Sequence, residues 1–144
     1  MAEKTKIITL TSLLLILPVA SFSAVYFYQQ QKKAFRIVNS SMASGVTDKF
    51  TPVNVTDVFP EKTRTVFCWF EWKNAKVGME IVAKWEYLTD EIHILDYAFK
   101  IPRKKGSGSV SLTMPEGKTL PSGDYEVSLN QSNRLCKRLQ FKVE

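Results

Sequence analysis

Met79-Glu80-Ile81-Val82-Ala83-Lys84-Trp85-Glu86-Tyr87 is the stretch from which the fold is read: Met79, Ile81, Ala83, Trp85 and Tyr87 take one side of an extended chain, and Glu80, Lys84 and Glu86 the other, with Val82 as the exception. Side chains of a strand alternate with period two, so this texture predicts a half-buried β-strand. Moving upstream, residues 73–78 read as a turn, and residues 64–72 are dense in strand formers with apolar side chains on both parities. Before them, residues 53–59 form a predicted strand that Pro60-Glu61-Lys62 ends. Moving downstream, Leu88-Thr89-Asp90 turns the chain into a strand over 92–101. Val110, Leu112 and Met114 alternate in the next strand, Tyr125, Val127 and Leu129 in another, and Leu139, Phe141 and Val143 in the last. Seven strands with turn signals between them and no intervening helical pattern predict an all-β sandwich or small barrel over residues 49–144.

Residues 120–127, Leu-Pro-Ser-Gly-Asp-Tyr-Glu-Val, resemble the loop-into-strand corner of immunoglobulin-like and fibronectin-type domains, where a tyrosine hydroxyl bonds back to the backbone just upstream. The order Phe67, Trp69, Gly78, Trp85, Leu120, Gly123, Tyr125, Phe141, Val143 is similar to that of small bacterial membrane-anchored immunoglobulin-like domains of unknown function. The resemblance covers residues 64–144. It implies a seven-stranded antiparallel β-sandwich with Trp85 and Tyr125 as structural core, and a habit of binding proteins or sugars. It brings no catalytic residues, no cofactor and no metal.

Ahead of the β-rich part, residues 7–28 run 22 residues without a charge, about 33 Å as a helix and enough to cross a bilayer. Lys4 and Lys6 flank one end and Lys32, Lys33 and Arg36 the other, with Tyr26, Phe27 and Tyr28 at the level of an interfacial aromatic belt. Residues 1–28 are therefore expected to be a signal-anchor or transmembrane helix contacting the lipid bilayer. The alternative is a cleaved signal peptide, with Pro18 breaking the helix and cleavage after Ser23. Flanking charge is near balance, so the signal-like start and the type of β domain place residues 49–144 outside the cytoplasm, periplasmic or extracellular.

Of the net charge of +6, half lies beside the hydrophobic segment, because residues 49–144 hold 15 Lys and Arg against 12 Asp and Glu. Basic charge in that position belongs to a membrane flank, and nucleic acid is not an expected partner. Residues 29–48 contain no proline, and Gly45 is read as the helix stop. Phe35, Val38 and Met42 recur at helical spacing, which predicts a stalk helix and linker whose stripe docks on a neighbouring membrane subunit.

Candidate chemistry is sparse. His93 is the only histidine, which excludes a histidine metal cluster or a His-based triad, and the carboxylates show no pairing at a useful spacing. Lys104-Lys105-Gly106-Ser107-Gly108-Ser109 lacks the order of a phosphate loop and leads into a strand. Arg103, Lys104 and Lys105 make a solvated basic turn or a contact for headgroups or an acidic partner. Trp69 and Trp72 fall on opposite faces of one strand. Either both faces are covered, or Trp69 belongs to an aromatic patch for a partner. Cys68 and Cys136 form a disulfide only if a bulge turns Cys136 inward, since its parity with Arg138, Gln140 and Lys142 puts it on the exposed side. Two separate thiols are the expectation. No enzyme is indicated. The expected protein is a single-span accessory subunit whose immunoglobulin-like domain binds or stabilises a larger integral-membrane assembly, or else a secreted binding module.

Overall fold

The structure, a computed structural model, describes residues 22–30 and 32–144. The chain divides into two compact units, Met1–Ala34 and Phe35–Glu144. In the first, residues 22–30 are helical, Gln30 Nε2 donates to the Tyr26 hydroxyl at 2.9 Å, and the Lys32 ammonium lies 4.7 Å from the Tyr28 ring centroid. No helix among the described residues is long and apolar enough to cross a membrane. Most of the membrane segment expected over 7–28 lies outside the described residues.

The second unit is a sandwich of nine strands: β1 (Arg36–Val46), β2 (Pro52–Val55), β3 (Val58–Phe59), β4 (Thr65–Lys73), β5 (Glu80–Tyr87), β6 (Ile92–Lys100), β7 (Gly106–Thr113), β8 (Gly123–Gln131) and β9 (Arg134–Val143). One sheet runs β2-β1-β4-β7 and the other β3-β9-β8-β5-β6. Between them lies one apolar core built from alternate residues: Val66, Cys68, Phe70 and Trp72 from β4, Ile81, Ala83 and Trp85 from β5, Tyr125, Val127 and Leu129 from β8. Phe141 stacks on Tyr125 at 5.0 Å between centroids and meets Trp85 edge-on at 6.2 Å, a geometry aromatic pairs favour.

Three expectations are corrected. The stalk helix over 29–48 is wrong beyond the helical turn at Lys32 and Lys33: residues 36–46 are β1, and the sandwich begins at Phe35, not at residue 49. The misleading spacing has a geometric cause. Ile37 pairs with Trp72 and Asn39 with Glu71, so Val38 is an extra, bulged residue. A bulge shifts parity by one, and Phe35 and Met42, seven residues apart, therefore both reach the core. A regular strand would have put them on opposite faces.

The strand count is nine, not seven. The strand expected over 53–59 is two, β2 in the first sheet and β3 in the second, and the chain crosses between sheets at Thr56 and Asp57. The Thr56 hydroxyl holds the crossing, donating to the Val58 carbonyl at 2.9 Å and accepting from the Val58 N–H at 3.1 Å. The sandwich is not wholly antiparallel either, because β3 runs parallel to β9.

At the corner before β8, the Tyr125 hydroxyl donates to the Pro121 carbonyl at 2.6 Å and the Tyr87 hydroxyl to the Ser122 carbonyl at 2.7 Å. Gly123 sits between them at φ 144°, where a Cβ would stand 2.5 Å from Thr89 Oγ1 and 2.7 Å from the Tyr87 ring. Only glycine fits there.

Candidate interaction surfaces

The two outer faces of the sandwich differ in charge. On the β5-β6-β8-β9 side, outward parity brings Glu80, Lys84 and Glu86 of β5 beside Lys100, Asp96 and His93 of β6. Arg138 of β9 meets Glu126 of β8 at 2.9 Å. This is an ordinary solvated face.

The outer face of the other sheet is uncharged through its middle. Register places Val55, Ala43, Phe67 and Ser111 in one row across β2, β1, β4 and β7, and Ser41, Trp69 and Ser109 in the next. Thr65 donates across to Thr113 at 3.1 Å. Charge returns with Glu71, Arg36 and Lys73 at one end and with Asp48 and Lys49 in the loop between β1 and β2. Val55 is 61% exposed, and Val53 and Phe50 lie exposed nearby. Trp69, an expected partner contact, is buried in this face under the loop between β1 and β2, its Nε1 donating to the Phe50 carbonyl at 2.6 Å. Both faces of β4 are thus covered around its two tryptophans.

Trp72, on the inner face, explains the glycines of the serine-glycine run. A Cβ on Gly106 would stand 3.0 Å from its ring and one on Gly108 3.2 Å, so β7 is glycine there to seat the indole. The same indole donates to the Arg103 carbonyl at 2.9 Å, and the Ala75 N–H donates to the Lys104 carbonyl at 3.0 Å. Those bonds fix the backbone of the basic turn while Arg103, Lys104 and Lys105 stay exposed.

Strand β6 has no sheet neighbour on its outer side, and the opposite sheet has one strand fewer. Its inward-parity residues are therefore uncovered: Leu95 pairs with Trp85 and Tyr97 with Ala83, yet they are 36% and 53% exposed. Phe99, nearer the basic turn, is half-buried against Phe70 at 5.4 Å. Sequence reading identified the strand but not this edge, because a run of apolar residues on both parities does not reveal which sheet ends beside it.

The remaining singled-out residues are dispersed. Phe35 and Met42 are in the core and not on a docking stripe, and Val38 is exposed at its bulge. Cys68 is buried, and the loss of solvation pushes its thiol up to about 12. Cys136 is the bulge residue of β9, since Leu129 pairs with Lys137 and Asn130 with Leu135. The bulge packs it half-buried against the core, which corrects the expectation of an exposed thiol. The two cysteines are free thiols, Cys68 on β4 and Cys136 on β9. A recess of about 500 Å³ near the tyrosine corner has Asp57, Thr89, Asp124, Gln140 and Lys142 in its wall. Among the described residues, no three His, Cys, Asp or Glu side chains converge on a point that would hold a metal ion.

No family model and no curated protein matches this chain. Among solved structures, it is similar to an immunoglobulin-like protein from Pseudomonas aeruginosa at a TM-score of 0.56 and 12% identity, over 77% of this chain and 97% of that one. It is also similar to the alkylpurine DNA glycosylase AlkC of Pseudomonas fluorescens bound to DNA containing an abasic-site analog, at a TM-score of 0.46 and 10% identity, over 76% of this chain and 30% of that one. The fold is immunoglobulin-like.

Proposed function

We propose that this chain is a non-enzymatic, membrane-anchored accessory subunit whose immunoglobulin-like domain binds a larger integral-membrane assembly through the uncharged outer face of the β2-β1-β4-β7 sheet. The observation that carries the reading is the row Val55, Ala43, Phe67, Ser111, a sheet surface without a charge in which Val55 and Ser111 are exposed, Phe67 is half-buried and Ala43 is covered, set against an opposite face that carries Glu80, Lys84, Glu86, Asp96 and Lys100. Interface centres are depleted in charge and enriched in aromatic residues, and an apolar surface rimmed by polar groups marks an interaction site. The uncharged stretch of 22 residues at 7–28 supports the membrane location, with the domain outside the cytoplasm.

The test is native electrophoresis of the full chain extracted from its own membranes in mild detergent. The protein is expected to migrate with a larger partner, and Val55→Asp to release it without changing the melting temperature. Migration alone, with no second protein, sinks the proposal.

A second reading, a secreted module released by cleavage after Ser23, is compatible with a sandwich unit that begins only at Phe35. Intact mass separates the two. A mature chain starting at Ala24 favours secretion, and a mass that includes Ala2 excludes it.

A further inference from the structure

We infer that the free edge of β6 is a self-association site, joining two copies of this chain by antiparallel β6–β6 pairing about Ala98. The edge is a nine-residue strand, bulged at Ile94 and regular from Leu95 to Lys100, whose outward hydrogen-bonding groups meet no neighbouring strand, with Leu95 and Tyr97 left uncovered. Unpaired edges of this length are templates for another strand unless something blunts them. A second copy is singled out as the occupant by charge complementarity.

On the outer face, the β5–β6 register makes three rows: Glu80 beside Lys100, Val82 beside Ala98, and Lys84 beside Asp96. With Ala98 on the two-fold axis, Asp96 of each copy faces Lys100 of the other. The outer row then reads Lys84, Asp96, Lys100 of the second copy and Glu80 of the second copy, alternating in sign across four strands. Opposite charges directly across a ladder stabilise it, and like charges destabilise it. The central row, Val82-Ala98 against its own copy, is apolar with a small residue at the axis. On the inner face, Tyr97 gains Phe99 of the second copy as its cross-strand neighbour, covering a ring the opposite sheet leaves bare.

Other registers lose this match. Sliding the copies by two residues sets Asp96 opposite Ala98 or Pro102, and by four sets Asp96 against itself. The ends of the edge agree with the same arrangement, since Arg103, Lys104 and Lys105 follow β6 while Asp90 and Glu91 precede it, and an antiparallel mate brings basic end to acidic end. A pairing of this extent is small by the standard of stable dimers, so a reversible association is expected, promoted by confinement to a membrane.

The test uses the full chain in mild detergent with Cys136→Ser. Ala98→Cys on the axis is expected to form an intermolecular disulfide under mild oxidation, read as a dimer on non-reducing gels. Ser111→Cys, on the other sheet face, is the control and is expected to stay monomeric. Asp96→Lys and Lys100→Asp, each added to Ala98→Cys, should cut the dimer several-fold. Mixing those two proteins should restore it, because both contacts between the copies, residue 96 of each with residue 100 of the other, are again between opposite charges. Equal cross-linking at residues 98 and 111, or no loss with the single charge variants, or no recovery on mixing, overturns the assignment. None of these outcomes depends on the membrane partner proposed above, whose loss is read separately with Val55→Asp.

Discussion

Leu95 stands directly across the β5–β6 ladder from Trp85, yet Trp85 is fully buried and Leu95 is 36% exposed. The two share a face of the same sheet and differ only in what lies over them. Trp85 is under the opposite sheet, and Leu95 has passed its edge.

Position, then, and not residue type sets the energetic weight of this pair. Trp85→Ala is expected to cost about 3–5 kcal/mol, the range for emptying a buried aromatic site, and Leu95→Ala below about 1 kcal/mol. Urea denaturation of the two variants against the parent decides it. Equal losses would mean that β6 is covered in solution.

The indole N–H of Trp85 has no hydrogen-bond partner among the described residues. Trp85→Phe trades some buried area for removal of that orphan donor, so its cost should fall well below that of the alanine variant. A loss as large as with alanine would show that the N–H is satisfied.

The corner predicts a graded response. Tyr125→Phe removes the bond to the Pro121 carbonyl and is expected to cost about 1–2 kcal/mol. Gly123→Ala forces a Cβ onto Thr89 and the Tyr87 ring at positive φ, and should cost about 2 kcal/mol or more. Gly117→Ala, also at positive φ but with open space around it, should cost less. Thermal melts that rank Gly117→Ala as the worst of the three would contradict the packing at the corner.

Alkaline pH should unfold the domain early. Burial pushes the Cys68 thiol from 9.0 to about 12, and burial with a smaller repulsion from Tyr87 pushes the Tyr125 phenol from 10.0 to about 12. Both groups keep their protons longer in the folded state. Their contribution is thus whole below pH 9, the unfolded thiol value, and is lost as pH rises toward about 12. Melting temperature should fall across that window, and Cys68→Ala should flatten the fall even if it lowers stability at neutral pH. An unchanged slope in Cys68→Ala would remove the thiol from the account.

The side of the membrane is open to a labelling test. Val55→Cys in a Cys136→Ser background should react with an impermeant maleimide applied to intact cells, with any outer membrane permeabilised. Labelling that appears only after the cells are lysed would place the domain in the cytoplasm.

Much of the fold was legible because period two survives in strands with one buried and one wet face. β5 showed it in Ile81, Ala83 and Trp85, and β8 in Tyr125, Val127 and Leu129. The corner residues Pro121, Gly123 and Tyr125 were readable because a local hydrogen bond constrains a local motif. β1 was not legible. Its bulge at Val38 turned an even spacing into a helical one, and only the ladder to β4 resolves that ambiguity.

The candidate surfaces were the least legible part. By itself the amino-acid sequence determined an all-β domain behind an uncharged N-terminal segment, with Trp85 and Tyr125 on inward parity, because alternation and turn chemistry act within a few residues. Tertiary structure alone decided that Trp69 is roofed by the Phe50 loop, that Cys136 turns toward the core, and that Leu95 and Tyr97 overhang a shorter sheet. Cover is a property of what lies across the sandwich, contributed by strands many residues away. No local pattern encodes which strand ends a sheet.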